Sequence, residues 1–145
     1  MNTTFRVYYE DTDAGGVVYY ANYLKFAERA RTELLRSLGI SQSDLLKSDK
    51  ICFVVHSCNA EFLKSAKLDD TIVTQTVVTK IAHTSLEMLQ TMHLVGFESA
   101  IFRLTSKIAC VKQSSEAFLL CKIPESIKQK LMHAKSDQSL NETKN

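Results

Sequence analysis

No stretch of this sequence approaches the ~20 consecutive apolar residues that a membrane-crossing helix requires, and its Lys and Arg residues are nowhere clustered with interleaved aromatics. The first absence argues against a spanning helix. The second, with a formal net charge of +2, argues against nucleic acid as the main partner. The four cysteines, Cys52, Cys58, Cys110 and Cys121, lack C-x-x-C spacing, and no signal peptide precedes Phe5, within the first expected strand. They read as reduced thiols of a cytoplasmic protein. His56 and Cys58 lie two apart on an expected strand and would share a face, but zinc wants three or four convergent ligands, so no metal is expected. A serine hydrolase is set aside because G-x-S-x-G is absent. Glycine is as scarce as cysteine: there are four in 145 residues, and two of them, Gly15 and Gly16, are adjacent.

A chain of 145 residues accommodates one domain with a real core, expected over residues 1–134. The remainder, 135–145, is polar apart from Leu140 and is expected to be a disordered tail. Alternation from Thr3 to Tyr9 predicts a strand with Phe5, Val7 and Tyr9 on one side. The period then changes. Tyr23, Phe26, Ala27, Ala30, Leu34 and Leu38 recur at three and four, predicting a helix from about Val18 to Leu38, roughly 30 Å long, stopped at Gly39. Ser41 to Ser48 reads as a short helix capped by Ser41. Strands follow over Cys52–Leu63, Thr71–Ile81, Ser85–Val95 and Ala100–Val111, with connections short enough for an antiparallel meander. The expected inner face holds Val73, Val77 and Ile81, then Leu86, Met88, Met92 and Leu94, then Phe102, Leu104, Ile108 and Cys110. The other face carries Thr74, Thr76, Glu87, Thr91, Arg103, Thr105 and Lys107, interrupted by Ile72, Val78, Leu89, Val95, Ile101, Ala109 and Val111, which ask for another subunit. Pro124 opens a last helix to about His133. The class expected is α+β, a long helix with an antiparallel sheet wrapped around it.

The two glycines sit in Tyr9-Glu10-Asp11-Thr12-Asp13-Ala14-Gly15-Gly16-Val17-Val18-Tyr19-Tyr20, between strand and helix. A helix start offers free N–H groups and a positive dipole end. A carboxylate beside such donors suits acyl transfer: the acid attacks or activates water, and the N–H groups receive the oxygen that becomes negative. Asp and Thr also serve ordinarily as helix caps and Asx turns at such joins, and the residue types alone do not separate the two.

The run from Arg6 to Tyr19, with Ala21-Asn22-Tyr23 and Glu28-Arg29-Ala30-Arg31, resembles the 4-hydroxybenzoyl-CoA thioesterase family, and within it the YbgC-type, Tol-Pal-associated branch of bacterial acyl-CoA thioesterases. The likeness is dense from Arg6 to Gly39 and thinner to Val111. It implies a hotdog fold, a homodimer or homotetramer with active sites between protomers, and hydrolysis of acyl-CoA, of short aliphatic acyl groups, without a cofactor beyond the coenzyme A of the substrate. Asp13 matches the family's catalytic carboxylate, as nucleophile or as general base. Tyr20 matches the position whose backbone N–H faces the thioester carbonyl. Gly15, Gly16 and Val17 fall in the substrate-binding turn, and Lys64 and Lys67, with Arg103, are cations suited to coenzyme A phosphates. The chain departs from the pattern at Tyr20, where the branch commonly has His, and around Lys64-Ser65-Ala66 and Asp69, where the family's Pro and Gly are missing. Two other readings carry forward: a hotdog binding protein for acyl carrier protein or lipid-synthesis partners with little hydrolysis, and a dehydratase, ranked last because no His lies near Asp13 in sequence.

Overall fold

A computed structural model describes residues 1–142. In chain order it contains β1 (Asn2–Arg6), a 3-10 turn (Tyr9–Asp11), α1 (Asn22–Ser37), α2 (Gln42–Asp49), β2 (Ile51–Phe62), β3 (Thr71–Ile81), β4 (Ser85–Leu94), β5 (Ala100–Gln113), β6 (Phe118–Leu120) and α3 (Glu125–Glu142). The strands form one open sheet in the order β1-β3-β4-β5-β2, with β6 paired to β5. β3, β4 and β5 follow one another as the meander predicts. β2 does not neighbour β3, however, but lies beside β5 at an edge. The connection explains this: Leu63 N–H donates to the carbonyl of Ile101, whereas Asp69 N–H donates to that of Val7, so residues 64–70 carry the chain from β5 across to β1.

The chain divides into two compact units, one of Met1–Leu34, Asn59–Thr76 and Leu89–Thr105 and the other of Leu35–Cys58, Val77–Met88 and Ser106–Asn145. In the first, β1 pairs antiparallel with β3, Phe5 opposite Ile72. The α1 stripe of Tyr23, Phe26 and Ala27 is buried in a cluster with Ile72, Met92, Phe102 and Leu104. Phe5 stacks on Phe26 and Tyr23 on Phe102, at ring-centroid distances of 5.6 and 5.1 Å, offset contacts that add to simple area burial. α1 begins at Asn22, four residues later than periodicity predicts, which shortens it to about 24 Å. The reason is local. Val17 and Val18 are β-branched, and both take strand-like bridges, to Lys67 and Thr12. Tyr9 also departs from expectation, leaving the strand for the 3-10 turn and lying exposed.

The inward face of β3 is the reverse of the expected one. Thr74 and Thr76, placed outward by alternation, are fully buried, while Val73 is only half-buried. The compensation is Gln90, whose amide donates to Thr76 Oγ1 (3.1 Å) and to the Ala27 carbonyl (2.8 Å), while its Oε1 accepts from Arg31 (3.0 Å). Glu28 holds the other face of the Arg31 guanidinium at 3.1 Å. A polar side chain at zero exposure is tolerated because it is bonded on both ends.

In the second unit Leu35, Ile40, Val78, Leu86, Met88, Ile108, Cys110, Ile123, Ile127 and Leu131 are buried. Gly39, at φ +68°, turns the chain out of α1, where Ile40 N–H reaches the Leu35 carbonyl, an αL exit that glycine makes without strain. Ser41 caps α2, as the sequence predicts. β6, not expected, pairs antiparallel with β5. α3 continues to Glu142, so residues 135–142, expected to be disordered, are helical; 143–145 lie outside the described residues. Once a helix is nucleated, each added residue brings its own hydrogen bond, and neither Gly nor Pro follows Pro124 to end it. Of the apolar residues assigned to an outer face, Ile72, Val78, Ile101, Ala109 and Val111 are buried by the chain itself; Val95 is exposed.

Candidate active site

The acidic turn is built by its backbone. Asp11 is buried and tied into the turn: its carboxylate accepts from Tyr8 N–H (2.8 Å), and its carbonyl accepts from Tyr19 N–H and from the Asn22 amide, both at 2.9 Å. Asp13 is anchored differently. Its main-chain N–H donates to the Val17 carbonyl and its carbonyl accepts from Gly16 N–H, closing a tight loop that requires φ +75° at Gly16, a conformation open to glycine without cost. Its side chain accepts one bond, from Gly15 N–H at 2.8 Å, and is otherwise exposed. This is an Asx turn, one of the two roles the residue types left open, and Asp13 also lines an open hollow of about 490 Å³ with Tyr9, Thr12, Ala14, Gly16 and Leu68.

Gly15 reports on that carboxylate. A Cβ there would stand 3.1 Å from Asp13 Oδ1, closer than ordinary van der Waals contact, so Gly15→Ala must shift the side chain. The shift is a few tenths of an ångström, and with the side chain exposed Gly15→Ala is expected to leave the thermal midpoint nearly unchanged, which a melting curve checks.

Tyr20 lies elsewhere. With Val18, Tyr23, Phe62, Leu63, Lys64 and Ser65 it lines a second hollow of about 320 Å³. Its ring is 61% exposed, edge-on to Phe62 at 6.0 Å and tilted against Tyr19 at 4.9 Å. The Tyr19 phenol is pushed above the ordinary tyrosine value by its hydrogen bond to Tyr20, then by the Tyr20 charge and by slight desolvation. The Tyr20 N–H, two residues ahead of α1, donates to nothing among the described residues. Beneath it the Tyr23 hydroxyl accepts from Ala66 N–H at 3.0 Å, and Val18 N–H donates to the Ala66 carbonyl, so the helix entry is tied to the 64–70 connection. Burial holds the Tyr23 phenol above its usual value, the Ala66 bond opposing and Asp70 reinforcing. Tyr23→Phe should cost about 1 kcal/mol for the lost bond, read as a lower chemical-denaturation midpoint at unchanged m-value.

Within one chain, then, Asp13 and Gly16 line one hollow and Tyr20 and Lys64 the other. Lys64 Nζ donates to Ser99 Oγ at 3.0 Å. Val17 and Lys67 are bridged to each other, with Lys67 N–H on the Asp70 carboxylate; neither they nor Gly15 line either of these two hollows. Arg103 is exposed on β5. Sequence reasoning did not single out Tyr9, Thr12 and Leu68 in the first hollow or Phe62 in the second. Phe62 is the last residue of β2, a large aromatic at a strand end, which is the signal that could have found it. Among the described residues no three His, Cys, Asp or Glu converge as metal ligands would, and no helix is long and apolar enough to cross a membrane.

An open antiparallel sheet, a helix packed on it and an acid-bearing turn at the helix entry define an α+β protein of the hotdog type. A sequence model of the Thioesterase superfamily matches residues 15–96, more than half of the chain. The chain belongs to that superfamily. It is 41% identical over 133 residues to the acyl-CoA thioesterase YbgC of Haemophilus influenzae, spanning 90% of this chain and 93% of that protein. It is 50% identical over 95 residues to the acyl-CoA thioester hydrolase YbgC of Escherichia coli, spanning 62% and 70%. The structure of 4-hydroxybenzoyl CoA thioesterase from Pseudomonas shares the fold with a TM-score of 0.83 at 18% identity, over 90% of this chain and 97% of that one.

Proposed function

We propose that this chain hydrolyses the thioester bond of acyl-CoA, with short aliphatic acyl groups as substrates, through the Asp13 carboxylate. The observation that carries the reading is the exposed Asp13 side chain, held by one N–H and lining an open hollow, in a chain so similar to proteins named acyl-CoA thioesterases. Asp13 either attacks the thioester carbonyl, forming a mixed anhydride that water then opens, or takes a proton from the water that attacks. In both routes the carbonyl oxygen becomes negative, accepts from the undonated Tyr20 N–H, and collapses to expel the coenzyme A thiolate. A donor in that role contributes about 2.7–4 kcal/mol to transition-state stabilisation. No cofactor or metal enters the scheme.

Because Asp13 and Tyr20 line different hollows of one chain, the working site is completed in a homodimer or homotetramer with active sites between protomers. β2 supports this: it is an edge strand with Val54 and Val55 exposed, the kind of edge that proteins cover. Gly15, Gly16 and Val17 shape the acid's turn, and Lys64 and Lys67 meet the coenzyme A phosphates as cations. The four free thiols suit the cytoplasm of a bacterium. A panel of aliphatic and aryl acyl-CoA and acyl-carrier-protein substrates, read by free-thiol release, tests the proposal. Release greatest with short aliphatic acyl-CoA is expected; no release above buffer from any member would return the reading to a binding protein, which the hydrolase names of the relatives do not favour.

A further inference from the structure

We propose that Cys110 and Cys121 are an oxidative modification site, a thiol pair that a peroxide or a small disulfide converts into an intramolecular disulfide. The β5–β6 ladder places Val111 opposite Leu120, so Cys110 and Cys121 are the next residue on each strand. Cys121 N–H donates to the Cys110 carbonyl at 3.0 Å, and the two sulfurs are 3.5 Å apart and share a hydrogen bond. A disulfide needs about 2.05 Å, an approach of roughly 1.5 Å. The side with less packed around it is that of Cys121, which follows β6, a strand three residues long, exposed throughout and paired with β5.

Burial sets the order of events. Cys110 is fully buried and Cys121 only half-buried, so an oxidant meets Cys121 first. The Cys110 thiol is pushed up to about 12, by burial first, then by its hydrogen bond to Cys121 and the charges of Cys121 and Cys52, which keeps it protonated and leaves the first attack to Cys121. With hydrogen peroxide, Cys121 loses its proton and its thiolate attacks one oxygen, breaking the O–O bond to give a sulfenic acid and a hydroxide that takes up that proton as water. The Cys110 sulfur then displaces the hydroxyl, which leaves with the Cys110 proton as a second water. With oxidised glutathione, Cys121 displaces one glutathione thiolate and Cys110 displaces the other. Two thiols are oxidised and one peroxide or one disulfide is reduced. The product closes the chain from Cys110 to Cys121 and fixes β6 and the Ser114–Ala117 turn, now held by Ser114 Oγ and its backbone bonds, against β5.

The test uses the reduced full-length protein treated with one equivalent of hydrogen peroxide or excess oxidised glutathione, quenched by alkylation and mapped by mass spectrometry without reduction. We expect a Cys110–Cys121 cross-link lighter by two hydrogens, loss of two of the four free thiols, and a thermal midpoint raised by about 5 °C that a reductant reverses. The cross-link should survive the paired Cys52→Ser and Cys58→Ser substitutions and vanish with Cys121→Ala. Four alkylatable thiols after treatment, glutathione retained on Cys121, or a cross-link that uses Cys52 or Cys58 would each overturn the proposal, and the wild-type map alone suffices to show any of them.

Discussion

Asp13→Asn is expected to lower turnover of short aliphatic acyl-CoA by about 10²–10⁴-fold and to leave the thermal midpoint where it was. The two halves of that expectation come from different atoms. The fold uses only the acceptor that takes Gly15 N–H and the Asp13 main chain; an Asn side-chain carbonyl supplies the same acceptor and makes the same turn. The side chain is exposed, so the substitution leaves no cavity. Chemistry needs the negative charge, which Asn lacks, whether the carboxylate attacks carbon or takes a proton from water. Activity near wild type in a folded Asn variant would remove Asp13 from the mechanism. A single turnover in ¹⁸O-labelled water tests for the anhydride: an unlabelled first acid with label on Asp13 marks an anhydride opened at the Asp13 carbon, whereas general-base attack labels the acid and leaves Asp13 unlabelled.

Gln90→Leu is expected to be the most destabilising substitution of similar volume in the core, by about 3 kcal/mol, or on the order of 10 °C in midpoint. Leucine fills the space. It removes three bonds, however, those of Gln90 with Arg31 Nη1, the Ala27 carbonyl and Thr76 Oγ1. Buried polar groups that lose a partner are costly. Pairing Gln90→Leu with Arg31→Leu removes one donor that has lost a partner, so the double variant should lose less than the sum of the singles; strict additivity in that double-mutant cycle would disprove a coupled network.

The network also shows why part of the fold was hidden. Along β3 the sequence Ile72-Val73-Thr74-Gln75-Thr76-Val77-Val78 offers apolar residues to both faces, so alternation could not choose between them. The choice came from Phe5 pairing with Ile72 and from a glutamine fourteen residues beyond Thr76 that satisfies the inward threonine. On β4 and β5 the pattern was less ambiguous. Leu86, Met88, Met92, Phe102, Leu104, Ile108 and Cys110 are buried as alternation predicts. The edge position of β2 was likewise unreadable, because a short connection is compatible with a neighbour and only the hydrogen bonds of Leu63 and Asp69 reveal the crossing.

The sequence by itself determined the α+β class, the apolar stripe of α1, the Ser41 cap, the Gly39 exit and the family, because each is written in local periodicity, turn chemistry or a contiguous motif. It also set apart Asp13 from Asp11 by the motif. Only the tertiary structure decided the setting of each acid: Asp11 is buried, with Tyr8 N–H on its carboxylate and Tyr19 and Asn22 on its carbonyl, while the Asp13 side chain, which accepts from Gly15 N–H, is exposed. The physical reason is that hydrogen-bond satisfaction and burial depend on partners distant in the chain. Tyr19, Asn22 and the Ala66 segment meet the turn in space, and no spacing between neighbours encodes that meeting.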